Sequence, residues 1–158
     1  MKILLPVDGS PDGLAAVQHA LALRAAGLDA EMVLVNVQEP PSLYEVVTAH
    51  DAEVLAHVRT DAGADLLAPA EALLSAAGAP WESEVAGGQP GTLLVELLEN
   101  YGCHAVVMGA RGIGTPQSAG LGSVAQAVLA HSPVPVTLVR AADGDSEPAG
   151  DTAEPDGE

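Results

Sequence analysis

Apolar residues along the first 140 positions alternate between short continuous runs and a helical spacing. The continuous runs predict five strands, at residues 2–8, 31–37, 81–85, 104–109 and 134–140. The helical spacing between them predicts helices at about 11–27, 43–78, 90–101 and 119–131. Most of the strands are apolar throughout, which is typical of a parallel sheet covered on both faces. The pattern therefore predicts a layered α/β domain with right-handed crossovers.

Signals at the ends of the predicted helices support these positions. Ser10 occupies the N-cap position of the first helix, Pro11 suits its first turn and Gly27 suits its end. The second helix is unusually long and contains Pro69, which cannot donate a backbone hydrogen bond. We therefore expect a kink or a break between Gly63 and this proline.

Composition and charge exclude several classes of function. The 158 residues include 22 acids and only 5 bases, a formal net charge of −17, so binding to nucleic acid or to an anionic membrane surface is not expected. The single cysteine, Cys103, permits no internal disulfide and reads as a small core residue. Neither a signal peptide nor a long apolar stretch is visible, so we expect a soluble cytoplasmic protein.

The composition changes abruptly after Arg140. Residues 141–158 contain seven acids, no base and no large apolar side chain. Such a segment buries too little surface to offset its ordering entropy. We therefore expect one folded domain over residues 1–140 and a disordered acidic C-terminal tail over 141–158.

Glycines stand between the fourth strand and the last helix. Residues 108–114 read MGARGIG and residues 120–123 read GLGS. Glycine lets a ligand approach the backbone closely, and Gly-Ser at a helix start offers amides and a hydroxyl to an anion. A tight turn with a serine cap would have the same pattern, so the glycines leave a structural role open. In a doubly wound sheet, Asp8 at the end of strand 1 would face the same crevice and suit a ribose hydroxyl or an adenine amino group.

The spacing Gly109-x2-Gly112-x9-Gly122-Ser123 resembles the ATP-binding signature of the universal stress protein family. The segments ILLPVDGS, VNVQEP, HAVVMGARG and LGSVAQAVLAHSPVPVTLVR resemble those of the family in the same order. The resemblance implies a flavodoxin-like, Rossmann-like doubly wound sheet of five parallel strands in the order 3-2-1-4-5. It also implies a homodimer and a bound ATP or AMP.

The resemblance further implies which residues contact the nucleotide. Those that match the adenine and ribose contacts are Pro6, Val7, Asp8 and Val37. Those that match the contacts with the ribose and phosphates are Met108, Gly109, Gly112, Gly122, Ser123 and Val124, with Arg111 as the one base in this loop. The insert at 113–121, IGTPQSAGL, carries no charge where family members often carry Lys or Arg. This departure predicts weak polyphosphate affinity, or a requirement for Mg²⁺ or Mn²⁺ to screen the phosphates.

Patterns typical of catalytic sites are missing from the sequence. It contains no G-x-x-x-x-G-K-[ST], no G-x-S-x-G and no H-E-x-x-H. His50 and His57 lie seven residues apart without a nearby third ligand, so no metal site made of side chains is expected. Binding is therefore better supported than turnover.

Three hypotheses remain open at this point. The first is a stress-response regulatory protein that binds ATP or AMP, acts as a homodimer and has an unidentified protein partner. The second is a nucleotide-free dimeric interaction module of the same fold, and the third is a slow metal-dependent ATPase. The expected dimer contact is strand 5, residues 134–140, because an exposed apolar edge strand tends to aggregate unless it is covered or paired. The alternative is a monomer in which the acidic tail shields this edge.

Overall fold

The computed structural model of the chain describes residues 1–49, 51–116 and 120–142, and it contains one five-stranded parallel sheet. The strands are β1 (Lys2–Pro6), β2 (Glu31–Gln38), β3 (Trp81–Gly87), β4 (Ala105–Gly109) and β5 (Val136–Val139). The helices are α1 (Pro11–Ala25), α2 (Leu43–Thr48), α3 (Ala52–Ala76), α4 (Pro90–Asn100) and α5 (Ser123–His131). The strand order β3-β2-β1-β4-β5 confirms the expected fold class. The expected tail lies outside the described residues from position 143 onwards, as does His50.

Two hydrophobic layers cover the two faces of the sheet. On one face, Ile3 and Leu5 of β1 pack with Val17 of α1 and Leu74 of α3. The other layer includes Leu4 of β1 and residues of α4 and α5, namely Leu94, Leu97, Leu98, Ala125 and Val128. Because alternate residues of β1 are buried on opposite faces, the strand reads as a continuous apolar run rather than as an alternating one.

The predicted ends of α1 are confirmed. The Ser10 hydroxyl accepts a hydrogen bond of 3.1 Å from the Gly13 N–H, which satisfies one donor of the first turn. Pro11 occupies the first turn, where its missing N–H costs nothing. Gly27 follows the helix with φ of +118°, a conformation that side chains with a Cβ rarely adopt.

Of the kink or break expected between Gly63 and Pro69, the break does not occur, because α3 continues from Ala52 to Ala76. Pro69 is exposed while Leu67 and Ala70 beside it are buried, so its ring lies on the side of α3 that points away from the core. The predicted helix is instead divided earlier, since α2 ends at Thr48 and α3 begins at Ala52. Within the described ranges, no helix has both the length and the apolarity needed to cross a bilayer.

Among the predicted boundaries that shift are those of the last helix and the last strand. The last helix begins at Ser123 rather than at 119, and β5 begins at Val136 rather than at 134. Pro133 and Pro135 lack the N–H groups that a strand uses for pairing, so the regular ladder starts after them. The later start of α5 leaves Gly122 as its N-cap residue, at the mouth of the cleft described next.

Candidate functional site

A cleft of about 350 Å³ opens at the carboxyl ends of the strands. It lies where β1 and β4 are neighbours and where the chain reverses its direction across the sheet, which is the usual ligand site of doubly wound folds. The residues predicted from the sequence all line this cleft: Pro6, Val7, Asp8, Val37, Met108, Gly109, Arg111, Gly112, Gly122, Ser123 and Val124. The fold therefore brings together segments that are more than one hundred residues apart in the chain.

One part of the cleft is an apolar slot. Val7 follows β1, Val37 is the last residue but one of β2 and Met108 belongs to β4; Val35 and Leu94 are the other apolar residues of the slot. The sequence pattern did not indicate the last two, because Val35 lies in a strand buried on both faces and Leu94 lies in a helix, and neither pattern reveals which side chains face a ligand. Further lining residues missed in the same way are Ser10, Gly13, Glu39, Pro90, Ala110, Ile113, Thr115 and Ala125.

The Asp8 carboxylate supports the loop that follows β4. Its Oδ1 accepts the Ser10 N–H at 2.9 Å, and its Oδ2 accepts the Ile113 N–H at 3.1 Å. A Cβ added at Gly112 would lie 2.8 Å from the same Oδ2, so only glycine fits against this carboxylate. Asp8 thus faces the cleft as expected, and it also orders the glycine loop.

The Arg111 side chain is paired with Asp12, a residue that the sequence did not single out. Its Nε donates to Asp12 Oδ2 at 2.8 Å and its Nη2 donates to Oδ1 at 3.1 Å, a bidentate ion pair. The two side chains are only 12% and 5% exposed. The hydrogen bond from Arg111 is the main reason why the pKa of Asp12 is lowered below its ordinary value.

Backbone amides form the polar end of the cleft. The Gly122 N–H donates to the Ala110 carbonyl at 2.8 Å, which places the first turn of α5 beside the β4 loop. The opening N–H groups of α5 have no partner within the helix, and the helix dipole makes this end attractive to an anion. Among the described residues, the Gly112 N–H has no acceptor in hydrogen-bonding range, and a Cβ added at Gly122 would lie 3.2 Å from its nitrogen. This arrangement is typical of phosphate sites.

The titratable side chains that line the cleft are Asp8, Glu39 and Arg111. The single lysine, Lys2, begins β1 and therefore lies at the opposite end of the sheet. Within the described part of the chain, no group of three or more His, Cys, Asp or Glu side chains could hold a metal ion. The anion-binding capacity of the cleft therefore comes mainly from backbone amides.

Comparisons with known proteins agree with this geometry. The sequence pattern of the universal stress protein family matches residues 1–140. A universal stress protein of Thermus aquaticus is 33% identical over 144 residues, which covers 87% of this chain and 97% of the relative. A crystal structure of a universal stress protein in complex with cAMP has 27% identity and a TM-score of 0.66, over 90% of this chain and 98% of the other.

A more distant neighbour shows the same fold. A universal stress protein of Arabidopsis thaliana with AMP bound has 17% identity and a TM-score of 0.68, over 94% of this chain and 97% of the other. The family match, the strand order and the position of the cleft agree with one another. This chain belongs to the universal stress protein family.

Proposed function

We propose that the protein is a stress-response regulatory protein that binds an adenine nucleotide, ATP or AMP, in the cleft at the ends of β1 and β4. The observation that carries the proposal is the combination of an apolar slot with a row of backbone amides at its end. The relatives bound to cAMP and AMP support it, because both ligands share an adenosine and a phosphate.

The chemistry of the lining suggests how the nucleotide lies. The slot between Val7, Val37 and Met108 suits the flat apolar faces of adenine. The Gly112 amide and the first amides of α5 suit the phosphates, with the Ser123 hydroxyl as a further donor. Asp8 lies between these two regions, where its remaining acceptor capacity suits a ribose hydroxyl.

Gly122→Val tests this site. The valine would place atoms 3.2 Å from the Gly112 nitrogen and 3.3 Å from Thr115 Oγ1, in the space that the phosphates need. Gly122 has φ of −70° and ψ of 161°, so the backbone tolerates the new residue. We expect binding of ATP and AMP, measured by calorimetry, to be lost.

Gly120→Ala is the matched control, because a Cβ there meets no atom of the described residues within 4 Å. It should bind both nucleotides as the native protein does. Equal affinities of the native protein and Gly122→Val would place the nucleotide elsewhere or show that none binds.

We also propose that Mg²⁺ or Mn²⁺ bridges the phosphates when ATP is bound. Asp8 and Glu39 line the cleft, and the chain carries a net charge of −17, so a polyphosphate meets a negative field. The neutral insert at 113–121 supplies no countercharge. Mg²⁺ should therefore raise the affinity for ATP more than that for AMP in calorimetry against an EDTA control; equal effects on the two would contradict the bridge.

A nucleotide-free interaction module is the second candidate. It is favoured by the neutral insert and by the pairing of Arg111, the one base among the described lining residues, with Asp12. Mass spectrometry of small molecules released from the purified protein separates the two candidates. We expect an adenine nucleotide; its absence, together with no binding in calorimetry, would support the second candidate.

Any hydrolysis of ATP should be slow. Phosphoryl transfer requires cationic groups at the terminal phosphates, and Lys2 is at the far end of the sheet. We expect turnover below about 1 s⁻¹, under the usual range of enzymes. A magnesium-dependent rate within that range, measured by phosphate release, would favour an ATPase instead.

We further propose that the protein acts as a homodimer through residues 134–140. β5 lies at the edge of the sheet, and an edge strand is commonly covered or paired. A symmetric antiparallel contact between two copies of this strand would form an isologous interface.

A further inference from the structure

Asp12 joins three segments of the chain through one buried carboxylate. It lies in the first turn of α1 and is 4% exposed. Its Oδ2 accepts the backbone N–H of Arg111 at 3.1 Å as well as the Nε hydrogen of the same residue. Its Oδ1 accepts Nη2 of Arg111 and, at 2.8 Å, the backbone N–H of Ala141. Arg111 belongs to the β4 loop, and Ala141 follows β5 by two residues.

These contacts occupy the whole acceptor capacity of the carboxylate. An ionised carboxylate offers about four lone-pair sites, and two hydrogen bonds reach each oxygen of Asp12. The group therefore has no site left for a nucleotide. The carboxylate binds groups of the protein itself rather than a ligand.

The contacts around Asp12 show how its position fixes the path of the β4 loop. A Cβ added at Gly109 would lie 2.8 Å from Asp12 Cβ and from the Gly13 nitrogen, so the end of β4 rests directly on α1. The hydrogen bond to the Arg111 N–H then sets the backbone direction just beyond this contact. The next amide in the chain is that of Gly112, which faces Gly122 at the start of α5.

Building on the proposed nucleotide site, we propose that Asp12 is a positioning residue that sets the phosphate-binding geometry of the β4 loop and links this loop to the root of the C-terminal segment at Ala141. Arg111 is the residue of this loop that Asp12 binds. Loss of the carboxylate releases the loop and Ala141 together, because both depend on the same two oxygens.

Electrostatics and positioning predict opposite results when the charge of Asp12 is removed. A negative charge near the phosphates repels them, so its removal alone would tighten ATP binding. Loss of the anchor would weaken binding, because amides that are not held in place cannot all reach the phosphates. The direction of the change therefore distinguishes the two effects.

The experiment compares Asp12→Asn with Asp29→Asn, an exposed acid whose replacement removes the same charge. Calorimetry measures the affinities for ATP and for adenosine, which has no phosphate. We expect Asp12→Asn to weaken ATP binding about tenfold or more, and a tenfold loss corresponds to about 1.4 kcal/mol. Adenosine binding should stay nearly unchanged. Asp29→Asn should change neither.

Amide hydrogen exchange of the ligand-free protein provides a readout that does not require a nucleotide. The amides of Arg111 and Ala141 should exchange faster in Asp12→Asn and at the native rate in Asp29→Asn. If the native protein binds no nucleotide while both amides respond, the proposed function fails and the link between the loop and the chain end stands. If Asp12→Asn does not fold, Asp12→Glu keeps the charge but moves the carboxylate by one methylene group, and it should weaken ATP binding and speed the exchange of both amides in the same way.

Three results would overturn the proposal. The first is native or tighter ATP binding by Asp12→Asn. The second is an equal loss of ATP and adenosine affinity, which indicates general destabilisation. The third is unchanged exchange at Arg111 and Ala141, which shows that the carboxylate does not hold them.

Discussion

At the scale of single residues, two carboxylates hold one loop from two sides. Asp8 accepts the Ile113 N–H and Asp12 accepts the Arg111 N–H, so the amides on both sides of Gly112 are fixed, and Gly112 itself lines the cleft. Neither role is visible in the residue types alone. An aspartate near the start of a helix is ordinarily a favourable partner of the helix dipole on the surface, whereas Asp12 is buried against an arginine.

The lowered pKa of Asp12 makes part of the stability dependent on pH. The pKa of Asp12 in the folded protein is below the ordinary value of 3.8. The ionised carboxylate therefore stabilises the fold fully above pH 3.8, and this stabilisation is lost as the pH falls through the pKa of the folded protein. Asp12→Asn should lower the free energy of unfolding at pH 7 by about 3 kcal/mol, since it breaks the ion pair between this buried carboxylate and Arg111. The difference from the native protein, measured by urea unfolding, should shrink below pH 3.8.

Asp29→Asn is again the control, because its exposed side chain can be changed with little effect on packing. A difference between Asp12→Asn and the native protein that stays constant down to pH 2 would contradict the assignment. The same unfolding curves also show whether Asp12→Asn is folded at the pH used for nucleotide titrations.

At the scale of elements, α3 contains a proline that the tertiary structure tolerates. Proline in a helix interior destabilises the folded protein by about 3 kcal/mol relative to alanine. Because proline also restricts the unfolded chain, about 0.4–1 kcal/mol of this destabilisation is offset. Pro69→Ala should therefore raise the free energy of unfolding by about 2 kcal/mol in chemical denaturation. The exposed position of Pro69 means that no packing is lost.

Pro11→Ala is the matched control for α3. Pro11 stands in the first turn of α1, where the missing N–H is not needed, so its replacement should leave stability unchanged or slightly lower it. If Pro69→Ala proved less stable than the native protein, the ring would have to make a contact that its exposure does not suggest.

At the scale of the whole molecule, the edge of the sheet at β5 determines how copies can associate. Val106 N–H donates to the Pro135 carbonyl and Ala110 N–H donates to the Val139 carbonyl, so residues 135 and 139 face β4. Backbone groups alternate along a strand, and those of Val136 and Leu138 therefore point away from the sheet, where a second copy can pair with them. Light scattering at micromolar concentration should give twice the mass of one chain.

Thr137→Asp tests the proposed dimer without disturbing the core, because Thr137 is exposed. Two equal charges near the two-fold axis should repel and produce monomers, and Thr137→Ser should remain dimeric. A mass of one chain for the native protein would refute the homodimer. A dimer unaffected by Thr137→Asp would place the contact on another surface.

The sequence by itself determined the element types, the strand order through the family resemblance, and eleven of the residues that line the cleft. These features depend on local patterns: apolar runs make strands, Ser10 and Gly27 delimit a helix, and the glycine spacing keeps side chains out of the cleft. Parallel strands have their carboxyl ends at one edge, so residues that follow them converge whatever the details of packing.

Only the tertiary structure decided which groups pair across the chain. Arg111 meets Asp12 at a separation of 99 residues, and the same carboxylate meets Ala141 at a separation of 129. No local pattern encodes such contacts, because they depend on where β4 and β5 rest against α1. The continuity of α3 through Pro69 was decided in the same way: packing of Leu67, Ala70 and Leu74 stabilises the helix by more than the proline destabilises it.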